Sequence, residues 1–173
     1  MSDHDPLSLN RLTGIGSQTL VRLARLGLFN QQDLLFHLPA RYEDRTHIDP
    51  IGSLTPGQHV QVEARIELTE LTPRGRRCLI CRISDGTGHL FLRFFHFTAR
   101  QIDQLARGLT IRCYGEVKAG FYGLEMAHPD YRLISAGESG QADSQLTPVY
   151  PLTDGLHQKT LRNLLAQVLQ QTS

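Results

Sequence analysis

From His59 to Leu71 the chain alternates side chains of opposite character. Val60, Val62, Ala64, Ile66 and Leu68 fall on one side, and Gln61, Glu63, Arg65 and Glu67 on the other. A period of two is the signature of a strand with one dry and one wet face, because successive side chains leave a strand in opposite directions. The middle of the chain is thereby committed to a sheet wrapped around one core. A second segment, His89–Phe97 (HLFLRFFHF), carries rings on both sides. Leu90, Leu92 and Phe94 match the inward register, which leaves Phe91, Arg93, Phe95 and Phe97 pointing the other way. Either that second face is buried under another layer, or it awaits something flat and negatively charged, as bases on a phosphate backbone are.

The strand pattern runs over residues 58–135. Pro73-Arg74-Gly75-Arg76-Arg77 turns the first strand into CLICRIS, with Leu79, Cys81 and Ile83 inward, and Asp85-Gly86-Thr87-Gly88 turns that into the aromatic strand. Thr98 to Gly108 has a short helical pattern. TIRCYGEVK then places Ile111, Cys113 and Val117 inside and Arg112, Tyr114, Glu116 and Lys118 outside, and LEMAHPDYRLI is the last strand. Three strands, a helix and two more strands form the layout of the OB-fold, a Greek-key barrel whose second and third strands commonly meet nucleic acid. The expected fold is mainly β with α: a five-stranded OB barrel over 58–135, a helical region over 1–57, and an extended linker with a terminal helix over 136–173.

In the helical region Leu20, Leu23, Ala24, Leu28, Leu34, Leu35 and Leu38 recur at helical spacing, Gly27 marks a helix end, and Asn30 or Asp33 can cap the next helix. Gly14-Ile15-Gly16 reads either as a plain turn or as part of a helix-hairpin-helix, where glycines let a phosphate approach backbone amides. Near the C-terminus, Leu161, Leu164, Leu165, Val168 and Leu169 stripe one helix face. That stripe either docks on this domain or serves a larger protein; the polar stretch before it favours the second.

Charge separates the three regions. The formal net charge is +1, but residues 58–118 alone carry a balance of +4, and sixteen of the eighteen basic residues are arginine. Arginine suits phosphate forks and stacks on bases, although genomic composition would give the same excess. Arg74, Arg76, Arg77, Arg93, Arg112 and Lys118 are the candidate phosphate contacts, with Phe95 and Phe97 as candidate base platforms. No phosphate-loop, zinc-protease or nucleophile-elbow motif occurs. Cys78 and Cys81 cannot face the same side of a strand, so neither a metal nor a catalytic site is expected. The N-terminus lacks a secretory pattern, and no apolar run approaches a membrane span; a cytoplasmic monomer with no membrane contact is the expectation.

HLPARYEDRT, CRISDGTG, LRFFHF, GEVKAGFYGLEMAHPDYR and LTPVYP, in this order, resemble the N-terminal region of the bacterial RecG family of ATP-dependent DNA helicases. The resemblance covers nearly the whole chain, from about Leu12 to Leu169. It implies that the barrel is that family's wedge domain, which sits at the branch of a replication fork or four-way Holliday junction and parts the strands during DNA repair and recombination. It implies branched DNA and single-stranded template as partners. It also implies an ATP- and Mg2+-using motor in cis beyond Ser173, with no cofactor and no ATPase activity in this segment. Phe95 and Phe97 match the family's base-stacking positions, while Ala99 stands where a further aromatic can occur. The alternatives from other classes are a free-standing single-strand-binding module and a protein-interaction adaptor.

Overall fold

The computed structural model describes residues 7–72 and 75–172. In chain order its elements begin with α1 (Ser17–Arg25), α2 (Gln31–Phe36), β1 (Arg41–Glu43), β2 (His59–Leu71), β3 (Leu79–Ser84) and β4 (His89–Phe94). They continue with α3 (Ala99–Gln104), β5 (Thr110–Glu116), β6 (Lys118–Ala119), β7 (Leu124–Ala127), β8 (Asp130–Ile134), β9 (Thr147–Val149) and α4 (Gln158–Thr172). The chain divides into two compact units, Asp44–Leu146 and a second formed by Met1–Glu43 with Thr147–Ser173.

The first unit is the OB-type barrel. Its sheet runs β6-β7-β4-β3-β2-β5-β8, and the two flanks are consecutive in sequence, since only His128 and Pro129 separate β7 from β8. The last strand of the expected five is therefore one bent strand: its first half pairs in parallel with β4 and its second half antiparallel with β5. His128 takes the bend with a φ of 47°, the one left-handed non-glycine among the described residues. Inside lie Val60, Val62, Ala64, Ile66, Leu79, Cys81, Ile83, Leu90, Leu92, Phe94, Ile111, Cys113 and Val117, all buried, as the alternation predicts. Cys78 is buried as well, and all three thiols are free.

Leu68 departs from the pattern. A bulge between Ile66 and Leu68 leaves Glu67 out of the ladder, so Leu68 faces outward and is 42% exposed. The segment after β8 departs too. Rather than a linker, it lies on the barrel, where Ser139 Oγ and Gly140 N–H donate to Glu63 Oε1 at 2.6 and 2.9 Å. The boundaries expected at 57/58 and 135/136 accordingly fall at 43/44 and 146/147.

The second unit is helical. Its core joins Leu9, Leu12, Leu23, Leu28 and Leu34 to Leu156, Leu161, Leu164, Leu165 and Val168. The terminal helix thus docks within this chain, contrary to the expectation, because the stripe on α4 buries against the N-terminal leucines; Leu169 alone of that stripe stays 56% exposed. α1 ends as its glycine predicts. Gly27, at φ 77°, lets its own N–H reach Ala24 O and the next N–H, that of Leu28, reach Leu23 O, both at 3.0 Å. At α2 both candidate caps act together: Asn30 Oδ1 accepts from Asp33 N–H, and Asp33 Oδ2 accepts from Asn30 N–H. β1 and β9 close the unit as an antiparallel pair in which Glu43 faces Thr147.

Candidate nucleic-acid interface

Two loops cover most of one outer side of the barrel. Over β2 and β5, Gln61 Nε2 donates to Arg45 O at 2.9 Å, and the Arg45 guanidinium sits 4.3 Å from the Tyr114 ring centroid. Beside them Arg112 and Glu63 are direct partners across β5 and β2, and the segment carrying Glu138, Ser139 and Gly140 roofs them. Arg112 donates from Nε and Nη2 to Glu63 Oε2 at 3.1 and 2.6 Å and from Nη2 to Glu138 O, and it is 3% exposed. Arg112 is therefore no phosphate contact. Alternation put it on the correct face, but that face is covered.

On the outer side of β3 and β4 Ile80 is buried while Arg82, Phe91 and Arg93 are half-buried, and the candidate platforms sit at the end of β4. β4 stops at Phe94, so Phe95 and Phe97 lie in the segment between β4 and α3 rather than on the strand itself. The ladder ends there because His128 takes over from a strand partner. Its N–H donates to Arg93 O at 2.8 Å, and its Nε2 accepts the Phe95 N–H at 3.0 Å. The His128 ring also meets Phe94 edge-on at 5.8 Å and stacks on His96 at 5.8 Å. Phe95 is half-buried, and Phe97 leans on the rim of the barrel core.

Each ring is covered by its own arginine from the β2–β3 hairpin, whose neck is closed by Thr72 N–H to Cys78 O at 2.9 Å. The Arg76 guanidinium lies 4.9 Å from the Phe95 centroid, and that of Arg77 lies 5.0 Å from Phe97. Arg74 lies outside the described residues. Arg93 is half-buried and ion-paired with Glu125 at 2.7 Å, and exposed Lys118 stands 3.4 Å from Glu116. Arg93 lies two residues before Phe95, and Lys118 shares the rung of Phe91 through Glu125. The structure thus brings together Phe95, Phe97, Arg76 and Arg77, engages Arg93 and Lys118 in ion pairs, and buries Arg112.

Gly14-Ile15-Gly16 belongs to the helical unit. The element before it is a turn of three residues, Leu9–Arg11, so the paired helices of a helix-hairpin-helix are not formed. Ile15 packs on the unit's own core, and Gly16 is the N-cap of α1. Among the described residues no cluster of three or more metal-binding side chains occurs, and no helix is long and apolar enough to cross a membrane.

Sequence reasoning passed over Phe121 and Tyr122, which are 89% and 65% exposed at the turn between β6 and β7. The flanking Gly120 and Gly123 were their one local signal, since a glycine-bounded aromatic pair at a turn has nowhere to bury.

A family model described as the RecG wedge domain matches residues 10–172. The chain is 47% identical over 95% of its length to the ATP-dependent DNA helicase RecG of Escherichia coli K12, covering 24% of that protein. It is 40% identical, again over 95% of its length and 24% of the relative, to the same-named protein of Pasteurella multocida. The chain therefore spans about a quarter of the length of these curated relatives. A solved structure of RecG bound to a three-way DNA junction superposes with a TM-score of 0.77 at 25% identity, over 96% of this chain and 23% of that one.

Proposed function

The chain belongs to the RecG wedge domain family, and on that premise we propose that it binds branched DNA where the strands part. Unpaired template bases stack on Phe95 and Phe97 while Arg76 and Arg77 hold the adjoining phosphates. The observation that carries this reading is the pairing of each ring with its own guanidinium from the β2–β3 hairpin.

Magnitudes decide what happens when DNA arrives. An exposed guanidinium over a ring at the protein surface is worth about 0.5–1 kcal/mol, whereas a base stacked on an aromatic is worth about 1–3 kcal/mol. The base displaces the guanidinium. The arginine, still tethered beside the ring, then turns to the phosphate, where charge-assisted paired hydrogen bonds await it. The same side chains shield the rings from water without DNA and neutralise the backbone with it. No base edge is read, so binding is indifferent to sequence and falls steeply with salt.

In the longer proteins of this family, an ATP- and Mg2+-dependent helicase motor in cis would drive duplex DNA against this surface. The rings would then retain bases as they come apart, at forks and at four-way junctions alike, in DNA repair and recombination. This segment contributes binding and strand splitting and hydrolyses no ATP by itself.

The test is a titration of labelled fork, four-way junction and single strand at two salt concentrations. Phe95→Ala with Phe97→Ala should weaken fork binding about tenfold or more, the loss of one to two stacked bases. Unchanged fork affinity would sink the reading. Because Phe97 also leans on the core rim, Phe95→Ala alone serves as the variant that leaves packing nearly intact.

A further inference from the structure

We infer that a second base-stacking site, formed by Phe91, Tyr122 and Phe121, continues along the outer side of β4 and takes the single-stranded nucleic acid leading away from Phe95 and Phe97. The inference deepens the branch-point reading and rests on it for the direction of the strand.

The geometry begins with a tight turn. Gly120 N–H donates to Gly123 O at 2.7 Å, and Gly123 adopts a φ of 140°, which a side chain would strain. A Cβ on Gly123 would also reach to 3.8 Å from Phe91 Cε2, so this backbone rides close beside that ring. The turn sets the Tyr122 ring 6.0 Å from Phe91, tilted by 39°, and the Phe121 ring 5.0 Å from Tyr122 and edge-on. Three rings step outward from the sheet, and the outermost is 89% exposed. An aromatic pair that merely closed a hairpin would fold back onto it. Here Phe121 is 89% exposed and Tyr122, against Phe91, 65%.

The surroundings select the occupant. Arg82, Phe91, Glu125 and Lys118 are partners on one rung across β3, β4, β7 and β6, so all four point to the same side. Arg93 lies two residues further along β4 on that side. Their carboxylate partners are Glu67 for Arg82 at 3.0 Å, Glu125 for Arg93 and Glu116 for Lys118. The contacting atoms of the Arg82–Glu67 pair are buried, but the Lys118–Glu116 pair is open to solvent and weak there, so a phosphate can compete for that cation. Rings interleaved with cations match single-stranded nucleic acid, in which every base has a face to stack and every link has a charge. Phe91 and Phe95 are four residues apart, at most about 14 Å along the chain. Both fit within the roughly 4–16 nucleotides that one OB barrel engages.

The test uses this chain with two forks of the same branch, one bearing an unpaired arm of about eight nucleotides, the other with every arm fully paired. Phe121→Ala with Tyr122→Ala should lower affinity for the long-armed fork by about 5- to 150-fold, the range of one lost stack. It should leave the paired fork and the melting temperature unchanged, since both side chains are mostly in water. Equal losses on both forks would overturn the site, as would no loss on either, which is also what a protein-docking role for the turn would give. Phe95→Ala is titrated alongside. If it alters neither fork, the branch-point reading fails, and a loss confined to the long-armed fork in the turn variant still leaves this second site standing.

Discussion

Arg112 and Arg76 show how differently two arginines of one barrel behave. Arg112 is sealed against Glu63 and the Glu138 carbonyl, whereas Arg76 stands over Phe95 at the surface. Truncating one partner of a buried ion pair leaves the other charge stranded, at a cost of about 3–5 kcal/mol. Arg112→Ala should therefore lower the thermal midpoint of the barrel sharply. Arg76→Ala should leave that midpoint in place and instead make fork binding less sensitive to salt, by about 0.7–0.9 in the log–log slope. The Glu63 carboxyl adds a pH signature. Burial raises its pKa, but hydrogen bonds from Ser139, Arg112 and Gly140 outweigh burial and hold it below the ordinary 4.5. A group with a lower pKa folded than unfolded stabilises the fold at pH above its unfolded value, and the benefit is lost as acid protonates it. Barrel stability should thus decline as the pH falls below 4.5, and Glu63→Gln should flatten that decline in melting curves taken across the acid range. Period-two patterning identified the outward face of Arg112 correctly. It could not show that residues far along the chain roof that face, because polarity records which side a residue is on and not what later folds over it.

At the scale of elements, the local signals held where their chemistry was local. Gly27 ends α1 and Asn30 starts α2 because each acts on amides within four residues. Asn30→Ala removes one half of a reciprocal cap and should cost about 1 kcal/mol of helical-unit stability, measurable by denaturant unfolding followed through helix ellipticity. The strands follow the alternation until a distant partner intervenes. The bulge at Glu67 turns Leu68 outward, and the His128 side chain ends β4 at Phe94 by taking the Phe95 amide. Both events are set by pairing across the sheet. No window of sequence around Phe95 contains His128, so the rings were expected on a strand and are found just past its end.

For the whole molecule, the informative contact is the short pairing of β1 with β9. Glu43 faces Thr147 across it, so the chain leaves the helical unit for the barrel and returns at neighbouring points. Composition suggested three consecutive regions, because a sequence is read in order. The structure instead inserts one unit within another, since α4 completes a leucine core begun at Leu9. Replacing residues 44–146 by a short turn should therefore leave a cooperatively melting helical unit, as followed by circular dichroism. Loss of that transition would show that the leucine core needs the barrel to form. The order of the barrel strands was legible from turns and alternation alone, whereas the insertion was not, because docking of an amphipathic helix has no sequence mark naming its partner.

Cys78, Cys81 and Cys113 are all buried, the last two in the barrel core, and burial pushes the Cys81 and Cys113 thiols up, away from the reactive thiolate. In the closed state an alkylating reagent finds nothing to attack. The speed at which these sulfurs become labelled in native buffer is thus a clock for spontaneous opening, built into the protein and needing no added probe.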